Sequence, residues 1–162
     1  MKKIFILQAV FFSCAALFGQ NGSAGQNGSA MRNLVKTAAA NKDLIIQISD
    51  VTENAVFYSV EVDGTRLEVL AVKAPDGTIR TAFNTCQVCY GSGRGFYKQQ
   101  ETVLICQNCG NRFRMSQVET RSGGCNPVPI FPQNKTVTSQ TITIPLEFLR
   151  EAKGIFAKWR RI

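Results

Sequence analysis

The stretch that decides the fold begins Ala82-Phe83-Asn84-Thr85-Cys86-Gln87-Val88-Cys89. It resumes as Val103-Leu104-Ile105-Cys106-Gln107-Asn108-Cys109-Gly110 and closes with Gly123-Gly124-Cys125-Asn126-Pro127. Sixteen residues separate the two CxxC pairs, and fifteen separate the second pair from Cys125. A CxxC turn puts both sulfurs on one side of a tight loop, so each pair is a bidentate ligand. Two such pairs folded back on each other can enclose one metal ion or a small iron–sulfur cluster. Cys86, Cys89, Cys106 and Cys109 are therefore the candidate ligands, with Cys125 as a fifth or alternative one.

The surrounding residues suit that purpose. Phe96-Tyr97-Lys98 and Val103-Leu104-Ile105 read as two strands of a hairpin turning near Gln100-Glu101, and the second strand runs directly into Cys106. Glycine follows each pair within two residues, in Cys89-Tyr90-Gly91 and Cys109-Gly110. A knuckle asks for glycine because its backbone takes positive φ as amides turn toward the sulfurs. Gly123-Gly124 is expected to let the backbone approach a crowded centre, and Pro127 and Pro129 to fix an extended exit.

Upstream lies a scaffold of strands. Leu44-Ile45-Ile46-Gln47-Ile48 is a short β-branched run, and Val56, Tyr58, Val60 and Val62 alternate with Phe57, Ser59 and Glu61. That is a period of two. Asp63-Gly64 supplies a hairpin turn, Arg66 to Lys73 returns, and Pro75-Asp76-Gly77 turns again into Ile79 to Phe83. The expectation is an antiparallel meander of three or four strands whose last member delivers Cys86. Downstream, Val137 to Ile144 alternates as one more strand. Pro145 then opens a helix whose stripe is Phe148, Leu149, Ala152, Ile155, Phe156 and Trp159, covering the sheet. A helix lying on a membrane surface is the other reading of that stripe. The predicted class is mainly β, a meander plus zinc-ribbon or rubredoxin-like cysteine knuckles, with one C-terminal α-helix.

The first residues read as an export signal. Lys2-Lys3 precede an apolar stretch from Ile4 to Phe18, too short to span a membrane comfortably, and cleavage is expected after Gly19. Lipidation at Cys14 and an uncleaved anchor are the alternatives, and all three place residues 31–162 outside the cytoplasm, in the periplasm or envelope. Residues 20–30 repeat Gln-Asn-Gly-Ser-Ala, a polar tether with nothing to bury. One domain over residues 31–162 follows. The full chain carries +8, and loss of Lys2 and Lys3 leaves +6. The basic C-terminus (Arg150, Lys153, Lys158, Arg160, Arg161) offers contact with an anionic membrane surface, or simply a solvated helix end. Export removes nucleic acid from the partners.

Outside the cytoplasm the rival use of cysteine is the disulfide. Cleavage leaves five cysteines, an odd number, and disulfides do not ask for two knuckles with adjacent glycine. A thioredoxin-type CxxC belongs at a helix start, and neither pair opens a helical period. A c-type haem needs CxxCH, but Tyr90 and Gly110 stand at the deciding positions. The chain has no histidine at all. Open catalytic zinc sites usually use histidine or carboxylate, so an all-thiolate centre reads as structural zinc or as an electron carrier. No phosphate loop, nucleophile elbow or paired-carboxylate motif appears. The reading is of a carrier or accessory protein more than of an enzyme.

The quoted cysteine segments, with Gly95-Phe96-Tyr97, Arg112-Phe113 and the run Gly123-Gly124-Cys125-Asn126-Pro127-Val128-Pro129, resemble the FtrD-like family of membrane iron–sulfur-containing proteins. The resemblance covers about residues 50–150. It implies an exported or membrane-attached protein linked to bacterial iron uptake, with Cys86, Cys89, Cys106, Cys109 and Cys125 as cluster or metal residues. It further implies a membrane protein partner from an iron-uptake or redox system. The cofactor it suggests is iron or an iron–sulfur cluster, with zinc as the alternative.

Overall fold

Chain segments rich in β-branched residues, separated by glycine and proline turns, give short strands here. The computed structural model describes residues 33–161; the signal peptide expected at 1–19 and the tether at 20–30 lie outside them. Eleven strands are described: β1 (Leu34–Thr37), β2 (Leu44–Gln47), β3 (Val56–Val62), β4 (Thr65–Lys73), β5 (Ile79–Cys86), β6 (Tyr97–Gln100), β7 (Val103–Cys106), β8 (Arg112–Arg114), β9 (Pro127–Pro129), β10 (Thr136–Val137) and β11 (Thr141–Ile144). One α-helix, α1 (Leu146–Glu151), runs on into a 3-10 turn over Ala152–Phe156.

The meander β3-β4-β5 is the centre of a five-stranded sheet ordered β1-β3-β4-β5-β9. Its two edges were not legible as strands of this sheet. Strand β1 pairs parallel with β3, while β9 lies antiparallel along β5. Prolines 127 and 129 cannot donate to a ladder, which suits an edge strand. The run at 44–47 joins a different sheet, of order β10-β11-β2. The expected strand 137–144 is instead a hairpin. Thr138 breaks it, because its hydroxyl accepts from the Gln140 and Thr141 amides and turns the chain.

Alternation in β3 suggested one buried face, yet nearly the whole strand is buried, because both faces are covered. On one side Val56, Tyr58, Val60, Leu67, Val69 and Phe83 pack with Leu44, Ile46, Ile142, Leu149, Phe156 and Trp159. On the other, Phe57, Leu70, Val72 and Ala82 pack with Tyr97, Leu104, Phe113, Met115, Cys86, Cys89, Cys106 and Cys125. The cysteine module thus sits on a hydrophobic floor. The aromatic stripe of the C-terminal segment covers the sheet, as expected, through ring contacts of Phe83 with Phe148 and Phe156 at 5.7 and 5.8 Å. The α-helix is shorter than the stripe implies, and the 3-10 turn that replaces its second half contains Gly154, a poor helix former. Among the described residues no helix is long and apolar enough to cross a membrane.

Candidate metal centre

Strand β5 hands Cys86 to the site through an irregularity. Its register with β9 runs Ala82 to Pro129 and Phe83 to Val128, then slips before Cys86 meets Pro127. Such a bulge redirects the strand end. Asn84 and Thr85, inside it, are fully buried. Asn84 then locks the neighbouring hairpin: its side chain donates to the Tyr97 carbonyl and accepts from the Tyr97 amide at 2.8 Å. Hairpin β6-β7, extended by β8 into a three-stranded sheet, delivers Cys106 opposite Tyr97.

The two knuckles are built alike. The amides of Val88 and Cys89 reach back to Cys86 sulfur, and those of Asn108 and Cys109 reach back to Cys106 sulfur. Each is the amide two or three residues on, so the same backbone curl is used twice. Gly110, at φ 75°, fulfils the glycine expectation after the second pair. After the first pair the positive φ falls on Gly93 (76°), not on Gly91, because a turn over Tyr90–Ser92 comes first. A β-carbon on Gly93 would stand 2.1 Å from the Lys158 carbonyl oxygen, and one on Gly95 2.8 Å from Cys89 backbone. Gly93→Ala is therefore expected to destabilise the protein by about 1–3 kcal/mol, and Gly91→Ala to be neutral. Urea titration of both variants checks this; a loss at Gly91→Ala with Gly93→Ala neutral would mean the sequence had pointed to the right glycine.

Cys125 arrives on a loop fastened to both knuckles. Gly123 and Gly124 take φ of 86° and 83°. Neither is crowded, so their glycines serve backbone conformation and not close approach. The Gln87 side chain, inside the first CxxC, accepts from the Gly123 amide at 2.6 Å. Asn111, just past the second CxxC, donates to the Cys125 carbonyl at 2.8 Å. Buried Asn126 donates to the Pro127 and Arg121 carbonyls, and its own carbonyl accepts from the Gln87 amide. Gln87, Asn111 and Tyr97 carry structural roles at the site that their types did not announce. Only their position within two residues of a cysteine or at a hairpin strand marked Gln87 and Asn111.

All five candidate cysteines are brought to one place with free thiols. The sulfurs of Cys86, Cys89, Cys106 and Cys125 lie within 4.8 Å of one another. Cys109 is not in that set. It is the most exposed of the five and touches Cys125 at 3.0 Å, while Cys86 lies 3.3 Å from Cys125 on the other side. A single tetrahedral ion with bonds of about 2.3 Å needs sulfurs about 3.8 Å apart, so the four fit one ion with small adjustments. The donor chemistry fits too. Four soft thiols, two of them with backbone amides aimed at the sulfur, suit zinc or iron and suit hard, oxygen-seeking cations poorly.

Protonation of the thiols follows burial except at Cys86. Burial opposes ionisation of Cys86, yet the Tyr97 hydroxyl and the Val88 amide outweigh it and hold its pKa below the usual range. Burial pushes Cys106 up to about 12 and raises Cys89 and Cys125 as well. Cys109 is brought down to about 7, first by the Cys125 thiol and then by the Asn111 amide. Tyr97, buried beside these sulfurs, is held firmly protonated and serves as a donor; its hydroxyl is 3.9 Å from Cys125 sulfur. The first thiolates thus form at Cys86 and at the exposed rim.

Comparison with known proteins bears on the same residues. The family described as membrane iron-sulfur containing protein, FtrD-like, matches residues 51–156, a span that takes in the meander, all five candidate cysteines and the aromatic stripe as far as Phe156. No curated protein and no solved structure matches the chain.

Proposed function

Since the chain belongs to the FtrD-like family of membrane iron-sulfur containing proteins, we propose that it is an envelope electron carrier holding a thiolate-bound iron or iron–sulfur centre and serving iron acquisition. The observation that carries this reading is the convergence within 4.8 Å of four sulfurs, three from two amide-lined knuckles and one, Cys125, from the loop fastened to them. Bound iron would supply a one-electron couple. The protein's share is electrostatic. Amides directed at Cys86 and Cys106, and the Tyr97 hydroxyl near Cys86 and Cys125, stabilise negative charge on sulfur. The apolar floor of Phe57, Leu70 and Leu104 keeps water from the inner sulfurs, while Cys109 stays at the surface. Export and a membrane protein partner belong to the same proposal.

A structural zinc ion in a domain that docks on a membrane partner is the second reading, favoured by sulfur separations that suit one tetrahedral ion. Export as an unfolded chain also favours an ion over a cluster assembled in the cytoplasm. Colour separates the two. Anaerobically purified protein is expected to show a visible absorption band that dithionite bleaches, with a whole-number ratio of iron per chain by elemental analysis. A colourless protein with one zinc would replace the electron carrier by the stapled domain. A protein with neither metal, carrying two intramolecular disulfides by mass spectrometry, would end both.

A further inference from the structure

Some cations of this basic chain are held in ion pairs. Arg150 and Lys153 pair with Asp63, Lys135 with Glu119, and Arg161 with Glu68. The arginines beside the cysteines differ. Among the described residues no acid pairs with Arg94, Arg112, Arg114 or Arg121. Arg112 stands three residues past Cys109, Arg121 four before Cys125, and Arg94 five past Cys89. Arg112 and Arg114 are exposed on β8, and Phe113 between them is buried against the cysteine cluster. Only two acids fall between Cys86 and Cys125. Glu119 is bound to Lys135, and Glu101 sits on the turn of the β6-β7 hairpin, at the end opposite Cys106. The cysteine end exposes two apolar side chains, Val88 (66%) and Tyr90 (42%), on either side of Cys89, together with Cys109.

We propose that this end is the docking surface for an acidic one-electron carrier protein, which sets its carboxylates against Arg94, Arg112 and Arg121 and its cofactor edge against Cys109. A small aromatic and aliphatic contact bordered by arginine is the usual composition of a protein interface. Unpaired like charges around it steer an oppositely charged partner and order its approach. A lipid surface fits less well, since two side chains are little apolar area to insert. The redox content of the inference rests on the proposed electron-carrier function. Each encounter moves one electron and no proton, so whatever the partner's cofactor gains the site loses, or the reverse.

The docking face is tested without redox chemistry by adding hexacyanochromate(III), an inert paramagnetic anion, to the isotopically labelled zinc-loaded protein. Amide broadening is expected at residues 88–94, 109–114 and 121–125, weakened about tenfold in an Arg112→Glu/Arg121→Glu variant. Broadening spread evenly, or centred on the C-terminal segment, would overturn the proposal. In the iron-loaded protein, oxidation by ferricyanide is expected to slow as salt rises, and oxidation by hexaammineruthenium(III) to quicken. The variant should react about tenfold more slowly with ferricyanide at low salt. Rates indifferent to salt and to the variant overturn it. Sedimentation with phosphatidylglycerol vesicles, lost in the variant, would make the face lipid-binding and also overturn it. A protein with no reducible centre removes the redox half together with the function beneath it, while a localised footprint still upholds the acidic partner.

Discussion

A Cys125→Ser protein is expected to purify with less than about a tenth of its metal, and a Cys109→Ser protein with most of it. Spacing alone argues the reverse, because Cys109 completes the second CxxC and Cys125 stands apart. Geometry decides otherwise. Cys125 belongs to the four sulfurs within 4.8 Å of one another, and Cys109 does not. Serine at 125 leaves three thiols, and a structural thiolate site contributes on the order of 10–16 kcal/mol to folding, so the loss reaches stability as well. Neither variant empties the deepest part of the core, since Cys109 is exposed and Cys125 half-buried, which keeps the comparison readable. Elemental analysis of both proteins, with thermal unfolding in the presence and absence of chelator, makes the measurement. Metal retained by Cys125→Ser and lost by Cys109→Ser would assign the centre to the two CxxC pairs.

The reasons that Cys125, and not Cys109, joins the four mutually close sulfurs also mark how far the sequence could be read. The hairpin that carries Cys106 was legible because Val103-Leu104-Ile105 has β propensity and the turn at Glu101 separates it from Tyr97. The central meander was legible for the same kind of reason, with a period of two and Asp63-Gly64 between its first strands. Both are local facts. The slip between Phe83 and Cys86 is not local: it arises because β9, some forty residues later, brings two prolines to the edge of β5. The need for glycine at 93 and not 91 arises from the Lys158 carbonyl, far down the chain. Strand β1 carries no clear alternation and becomes a strand only because β3 offers it an edge. Cys125 likewise reaches the other sulfurs through Gln87 and Asn111, whose side chains act on distant backbone, and through the backbone carbonyl of Asn126, which accepts from the Gln87 amide. Propensity and spacing named the five cysteines; long-range hydrogen bonds arranged them.

One such contact carries the second large expected effect. Arg161→Met is expected to cost about 3–5 kcal/mol, the loss that follows removal of one partner from a buried ion pair. Glu68 is fully buried on β4, and its carboxylate meets the Arg161 guanidinium and the Asn84 side-chain amide through one oxygen. Its other oxygen has no hydrogen-bond partner, so the group already sits at the edge of what burial tolerates. Arg161 is the counter-charge, held in turn over the Phe57 ring at 4.8 Å. Without it the carboxylate is left buried with no counter-charge and must draw in water, and that change disturbs Asn84. Asn84 fixes the Tyr97 backbone and receives the Trp159 indole N–H on its carbonyl at 2.9 Å, so the disturbance is passed toward the cysteines. The double variant Glu68→Gln/Arg161→Met should recover most of the loss, because a neutral amide needs no counter-ion and still accepts from Asn84. Urea titration of the two single variants and the double variant gives the coupling directly. Additive losses would mean that Arg161 acts through its packing on Phe57 and not through the charge of Glu68.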